Sequence, residues 1–207
     1  MAAFDLFTIG HSNISATRFI AMQRAAGVSA VADVRSTPFS RFCPWFSAKN
    51  LAPLLADAGI GYLSYGETLG GRPRDPSLYR DGVIDYQAVA RQREFLTALD
   101  RLTDAAARRP VCIMCSEREP LDCHRCLLVA RALAARGLAI GHILYDGTIE
   151  PHRVTEQRLL ALEGGDLFAT GQAERLAAAY FRRARAVGYR PKPAAKAARQ
   201  KVATEKR

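Results

Sequence analysis

The residues of this chain that can do chemistry sit where apolar runs end. His11 and Ser12 follow one such run, Asp33 and Arg35 close a second, and Gly70, Gly71 and Arg72 lie in the loop after a third. A fourth run ends in Cys115-Ser116-Glu117, and Cys123-His124-Arg125 opens the helical segment beyond it. Asp33 and Glu117 have the chemistry for general acid and base work or for nucleophilic attack, with His11 and His124 as imidazole partners near neutral pH. Arg35, Arg72 and Arg125 can clamp a phosphate or carboxylate. The free N–H groups of a helix starting near Cys123, together with His124, Ser12, Gly70 and Gly71, extend the same anion site. The opposing expectation is an Asp33–Arg35 or Glu117–Arg125 ion pair that only holds loops together.

Thiols offer a second chemistry. Cys123 lies at a helix N-terminus two residues from Arg125, a setting that lowers a thiol below its free value of about 8.5, and Cys115 is the other candidate nucleophile. A phosphatase-type Cys-x5-Arg loop is missing: six residues on from Cys115 stands Leu121, and six on from Cys123 stands Val129. Cys112 does have Arg118 at that distance, but it lies inside an apolar run and cannot start a loop. The spacing Cys112-x2-Cys115-x7-Cys123-x2-Cys126 also admits a zinc or thiol-dependent site. Against zinc, Cys112 would point into the core, and Cys126 stands in a helix beside Leu127 and Leu128. The expectation is therefore no metal ion and no cofactor. Phe39, Phe42, Trp45 and Phe46 can stack a base or pack their own loop.

The strings Thr8-Ile9-Gly10-His11-Ser12, Asp33-Val34-Arg35 with Pro38, Leu69-Gly70-Gly71, Cys115-Ser116-Glu117 and Cys123-His124-Arg125 occur in this order. On them the chain resembles the domain of unknown function 488 family from near residue 6 to near residue 150, with Cys-x-Glu and Cys-His-Arg as the most specific part. The resemblance implies a single α/β domain without an established activity. It points residue by residue to His11, Asp33, Arg35, Cys115, Glu117, Cys123, His124 and Arg125. The segment after Pro151 lies outside it.

The elements that must position these residues follow from the periodicity. Apolar runs at Phe4–Ile9, Val28–Val34, Ile60–Tyr65, Val111–Met114 and Leu138–Leu144 read as five strands. Helical segments lie between them: Ala16–Ala26 stopped by Gly27, a helix ending at Gly59, Asp85–Arg108, and His124–Arg136 stopped by Gly137. Gly66–Gly82 reads as a long irregular loop. Near-continuous apolar strands alternating with helices predict a mainly parallel α/β sheet of about five strands covered on both faces. Ligands of such sheets bind beyond the carboxyl ends of the strands, where all the residues above would meet.

The domain plan is an α/β domain over 1–150, a C-terminal helical extension over 151–187, and a disordered basic tail over 188–207. The 207 residues carry a net charge of +10, and nine of those charges fall between Arg182 and Arg207. The body is nearly neutral, so a nucleic-acid reading rests on the tail rather than the fold. No apolar run is long enough to span a membrane, the start lacks a basic, apolar leader, and five cysteines are an odd number, which together read as a cytoplasmic protein with reduced thiols. The expected function is a hydrolase or transferase acting on a phosphate-bearing small molecule or nucleic acid. The alternative is a non-catalytic nucleic-acid-binding module that works through its tail.

Overall fold

The computed structural model describes residues 4–164 and 171–191; residues 192–207, most of the expected tail, lie outside the described residues. Along the chain run β1 (Leu6–Gly10), α1 (Ala16–Ala25), β2 (Ala30–Asp33), α2 (Ala48–Asp57), β3 (Gly61–Ser64) and a short α3 (Gly66–Leu69). There follow β4 (Tyr79–Arg80), β5 (Val83–Ile84), α4 (Tyr86–Val89), α5 (Arg93–Arg108) and β6 (Val111–Cys115). A π-helical stretch, Arg125–Ala130, runs on into α6 (Arg131–Ala134), and β7 (Ile140–Ile143), β8 (Ile149–Pro151), α7 (His152–Glu163) and α8 (Gln172–Val187) complete the fold.

The main sheet has the order β3-β2-β6-β1-β7-β8. Its first five strands are mutually parallel, as the apolar runs predict, and β8 adds an antiparallel edge through Gly141↔Pro151 and Ile143↔Ile149. Side chains alternate across the pleat. Phe7, Ile9, Val31, Cys112 and Met114 meet α1 and α2 through Phe19, Leu51 and Leu55. Leu6, Ala32, Val111, Ile113 and Cys115 meet α5, the Arg125 helix, α7 and α8 on the other face. Each face thus holds its own core, and burying both excludes water from every central strand.

Three expectations need correction. The segment 66–82 is not irregular: it holds α3 and the β4–β5 hairpin, turned at Asp81 and Gly82 with positive φ of 51° and 72°. Asp-Gly is a strong signal for such a two-residue turn, because both positions need the left-handed region. The helix expected over Asp85–Arg108 breaks where Gln92 becomes extended (ψ 135°), and Asp85 caps its first piece by accepting from the Gln87 and Ala88 N–H groups. Arg182, Arg183 and Arg185, counted with the tail, stand on α8, paired with Glu163, Asp122 and Asp81 respectively. Among the described residues no helix is long and apolar enough to cross a membrane.

A buried polar chain ties the C-terminal helices to the sheet. Thr8 Oγ1 donates to His142 Nδ1 (2.7 Å), His142 Nε2 to His152 Nδ1 (2.9 Å), His152 Nε2 to the Tyr180 hydroxyl (3.1 Å), and that hydroxyl to Glu156 Oε1 (3.0 Å). The last donation fixes the direction of all the others, so both imidazoles are satisfied as neutral rings. Burial pulls the pKa of both histidines below its usual value, consistent with that assignment.

Candidate active site

At the carboxyl rim the alternation of side chains splits the expected residues into two clusters. Asp33 and His11 follow the face that packs on α1 and α2, whereas Cys115 follows the face that packs on α5. The first cluster is built on Arg35. Its Nε and Nη2 clamp Asp33 (2.9 and 2.6 Å), Nη2 also donates to the Phe46 carbonyl (2.7 Å), and Nη1 donates to His11 Nε2 (3.1 Å). Four of its five N–H donors are therefore spent, and one on Nη1 remains. Tyr62 donates to the second oxygen of Asp33 (2.7 Å), and the His11 ring stacks on Phe46 at 4.0 Å.

His11 Nδ1 bonds the Ser12 carbonyl (2.8 Å), which can only accept, so the ring is a neutral tautomer with its lone pair toward Arg35. Burial, reinforced by Arg35, pulls its pKa down to about 4. His11 is thus not the near-neutral proton carrier expected from its type, and Asp33 is the carboxylate half of a buried ion pair, not a free acid or base. The expectation of a loop-holding Asp33–Arg35 pair describes this cluster.

The second cluster gathers Cys115, Glu117, Cys123 and His124. Glu117 Oε2 lies 2.9 Å from Cys115 Sγ and 3.0 Å from Cys123 Sγ, and His124 Nδ1 lies 3.6 and 3.9 Å from the same sulfurs. His124 Nε2 donates to the Val34 carbonyl (3.0 Å), which leaves Nδ1 facing the sulfurs. Arg125 is fully buried, and its guanidinium donates to the carbonyls of Glu117 (2.5 Å) and Arg118 (3.1 Å). It fixes the Glu117 loop and does not reach the cavity, so its expected anion-binding role is replaced by a structural one. Gly10 permits this crossing, since a Cβ there would meet the Glu117 carbonyl oxygen at 1.7 Å. Gly71 lets its loop lie on His124, whose ring a Cβ would approach to 2.7 Å.

Charge in this cluster is shared. Burial raises the Cys115 thiol, and the neighbouring Cys123 raises it further. Burial alone would raise Cys123 as well, but Cys115, Arg125 and His124 reverse this and carry it well below the ordinary thiol value. Burial, followed by Cys123, pushes the Glu117 carboxyl up. For His124 burial acts downward, and its contact with Cys123 overturns that to give a net rise. Among the described residues no carboxylate pairs with Arg125, and the neighbouring Cys123 does most to favour its charged form against the cost of burial.

Above the cluster opens a cavity of about 360 Å³ walled by Arg35, Gly71, Arg72, Cys115, Glu117 and His124. Six of the expected residues therefore share one space. Asp33, His11, Ser12, Gly70, Cys123 and Arg125 do not line it; Cys123 lies just beneath, bonded to Glu117. Ser12 has φ 47° and bonds Asn13, and Gly70 packs on Ser36. The cavity also takes Ser36, Phe39, Tyr86, Asp122, Val187 and Tyr189, which sequence reasoning did not assign to it. Of these, Phe39 stands out in the sequence by its type and Asp122 by its place just before Cys123 at the expected helix start. Val187 and Tyr189 lie 70 or more residues beyond Glu117, and nothing local signals their return.

The family model for the Domain of unknown function DUF488 matches residues 15–132. No curated protein and no solved structure matches the chain. The match is narrower than the resemblance read from motifs, beginning beyond His11 and Ser12 and ending on α6, so β7, β8, α7 and α8 lie outside it. It nevertheless spans the Arg35 clamp, the Gly71 loop and the whole cysteine cluster, more than half of the chain, and the chain therefore belongs to the Domain of unknown function DUF488 family.

Proposed function

We propose that the rim cavity is the active site of a hydrolase- or transferase-type enzyme acting on a phosphate-bearing substrate of the nucleotide or nucleic-acid class. One observation carries this reading: an Arg72 guanidinium with no carboxylate partner among the described residues shares a single cavity with Glu117, Cys115 and His124. A cation beside groups able to exchange protons is what transfer of an anionic group needs. The remaining Nη1 donor of Arg35 adds to the anion site. Phe39, 66% exposed at the cavity wall, and Tyr189, whose ring lies 4.8 Å from the Arg72 guanidinium carbon, offer flat faces for a base.

The competing reading, nucleic-acid binding through the tail alone, loses support from α8, where Arg182, Arg183 and Arg185 are tied into ion pairs. The test is a screen of a nucleotide and oligonucleotide library with the full chain, a chain truncated after Pro191, Arg72→Ala and Glu117→Gln. The expected outcome is turnover that survives truncation, binding weakened about 10-fold or more in Arg72→Ala, and turnover reduced about 10²- to 10⁴-fold in Glu117→Gln. Binding that follows the tail and ignores both substitutions overturns the enzyme reading.

A further inference from the structure

We infer that Cys115, Glu117, Cys123 and His124 form a binding site for a zinc-class divalent metal ion at the floor of the cavity. Their four ligand atoms, two Sγ, one carboxylate oxygen and Nδ1, all lie within 4.8 Å of one another. A tetrahedral ion with bonds of about 2.3 Å to sulfur and about 2.0–2.1 Å to nitrogen spaces these atoms about 3.5–3.6 Å apart. The observed S···N separations are 3.6 and 3.9 Å. The Glu117 oxygen, at 2.9 and 3.0 Å from the sulfurs, has only to withdraw by about half an ångström to reach the same spacing.

The surroundings are those of a ligand set. His124 donates Nε2–H to the Val34 carbonyl, the outer bond that fixes the tautomer of a metal-binding imidazole and aims Nδ1 inward. Cys115 is held by the end of β6 and His124 by the cap of the Arg125 helix, so two donors stand on or at regular elements, and Cys123 is the extended residue that joins the Pro120–Asp122 turn to that helix. Glu117, the fourth, sits in the loop that Arg125 pins through its carbonyl. Two thiolates and a carboxylate around a divalent ion leave one negative charge, and the fully buried Arg125 guanidinium beside them balances it. Soft sulfur with imidazole selects zinc-class ions over magnesium or calcium.

The donor set differs from the four-cysteine arrangement suggested by spacing. Cys112, three residues before Cys115, faces the opposite side of the sheet, and Cys126 is buried on the helix away from the cavity. A second group, Cys126, His142 and His152, is also close together, but its ring nitrogens are spent on one another, Thr8 and Tyr180. The site shares the cavity assigned to catalysis above, yet metal uptake is measured without turnover and does not rest on the substrate proposed there.

The full chain, reduced and stripped with a chelator, is titrated with Co²⁺ and then Zn²⁺. The expected result is one Co²⁺ per chain with a sulfur-to-cobalt charge-transfer band and the intense visible bands of a tetrahedral ion, both displaced by Zn²⁺. Cys123→Ser and Cys115→Ser weaken uptake more than about 100-fold, beyond the usual effect of losing an outer partner, while Cys126→Ala keeps it. Because the cysteine variants touch a buried cluster, X-ray absorption of the zinc-loaded wild type provides a check that needs no mutation: two sulfur neighbours at about 2.3 Å. Absence of stoichiometric uptake, a shell of oxygen and nitrogen only, or a band that persists in a folded Cys123→Ser overturns the site. Failure of metal uptake alongside intact substrate turnover separates this inference from the proposed function.

Discussion

Arg35 illustrates how the fold reassigns a residue that sequence marks as a ligand clamp. Four of its donors are consumed by Asp33, Phe46 and His11, and it is only 4% exposed, so its main work is to tie the end of β2 to His11 and to the Pro44–Phe46 turn before α2. His11, neutral and facing Arg35, with Asp33 and Glu117 nearby, gives that rim a pH signature. Its pKa falls from 6.5 to about 4 on folding, so between those values the unfolded chain binds the extra proton and the folded one refuses it. The contribution is fully present above pH 6.5 and is lost as pH falls toward 4, at up to about 1.4 kcal/mol per pH unit. His11→Gln keeps an acceptor for Arg35 and a donor for the Ser12 carbonyl but cannot titrate. Denaturant unfolding at several pH values between 4 and 6.5 is expected to show a shallower pH slope for the variant than for the wild type; equal slopes would exclude His11 as the source.

At the scale of elements, the helix after β6 matters most. Its first six residues, Arg125–Ala130, are π-helical, a form that appears mainly as short inserts and often at functional sites. The stretch starts beside Cys123 and His124, whose Sγ and Nδ1 converge below the cavity floor. On the far side of this helix the chain Thr8–His142–His152–Tyr180–Glu156 joins β1, β7, α7 and α8. Tyr180→Phe deletes the hydroxyl and leaves a buried His152 N–H without its acceptor, so a loss of about 1–3 kcal/mol is expected. Urea unfolding measures it, and hydrogen exchange of α8 amides should accelerate in step. In the sequence His142 stands only as a polar residue near a strand end and His152 as one near a helix start, because a hydrogen-bond chain running across four elements has no local pattern.

For the whole molecule, the basic charge and the site separate. The described body ends at Pro191 with Arg182, Arg183 and Arg185 of α8 paired; the remaining sixteen residues, 192–207, hold six of the thirty basic residues and one acid. Truncation after Pro191 is expected to leave thermal stability unchanged while lowering the salt slope of non-specific nucleic-acid binding by about 0.9 per lost phosphate contact. Calorimetry and a salt titration on a random duplex test the two halves of that statement. Truncation before α8 instead strips Tyr180 and Ala184 from the core and removes Val187 and Tyr189 from the cavity. The sequence by itself determined the class of fold, the five parallel strands, and the rim to which His11, Asp33, Arg35, Cys115 and Glu117 are carried, because apolar runs, helix stops and strand ends are local features. It also contained the Asp81-Gly82 hairpin signal, which the surrounding glycines and prolines obscured. Only the tertiary structure decided which side of the sheet each rim residue serves. Side-chain direction reverses at every strand residue, so it sends Asp33 to an ion pair and Cys115 to a cluster with Glu117, Cys123 and His124, and it brings the C-terminal helix back to close their cavity.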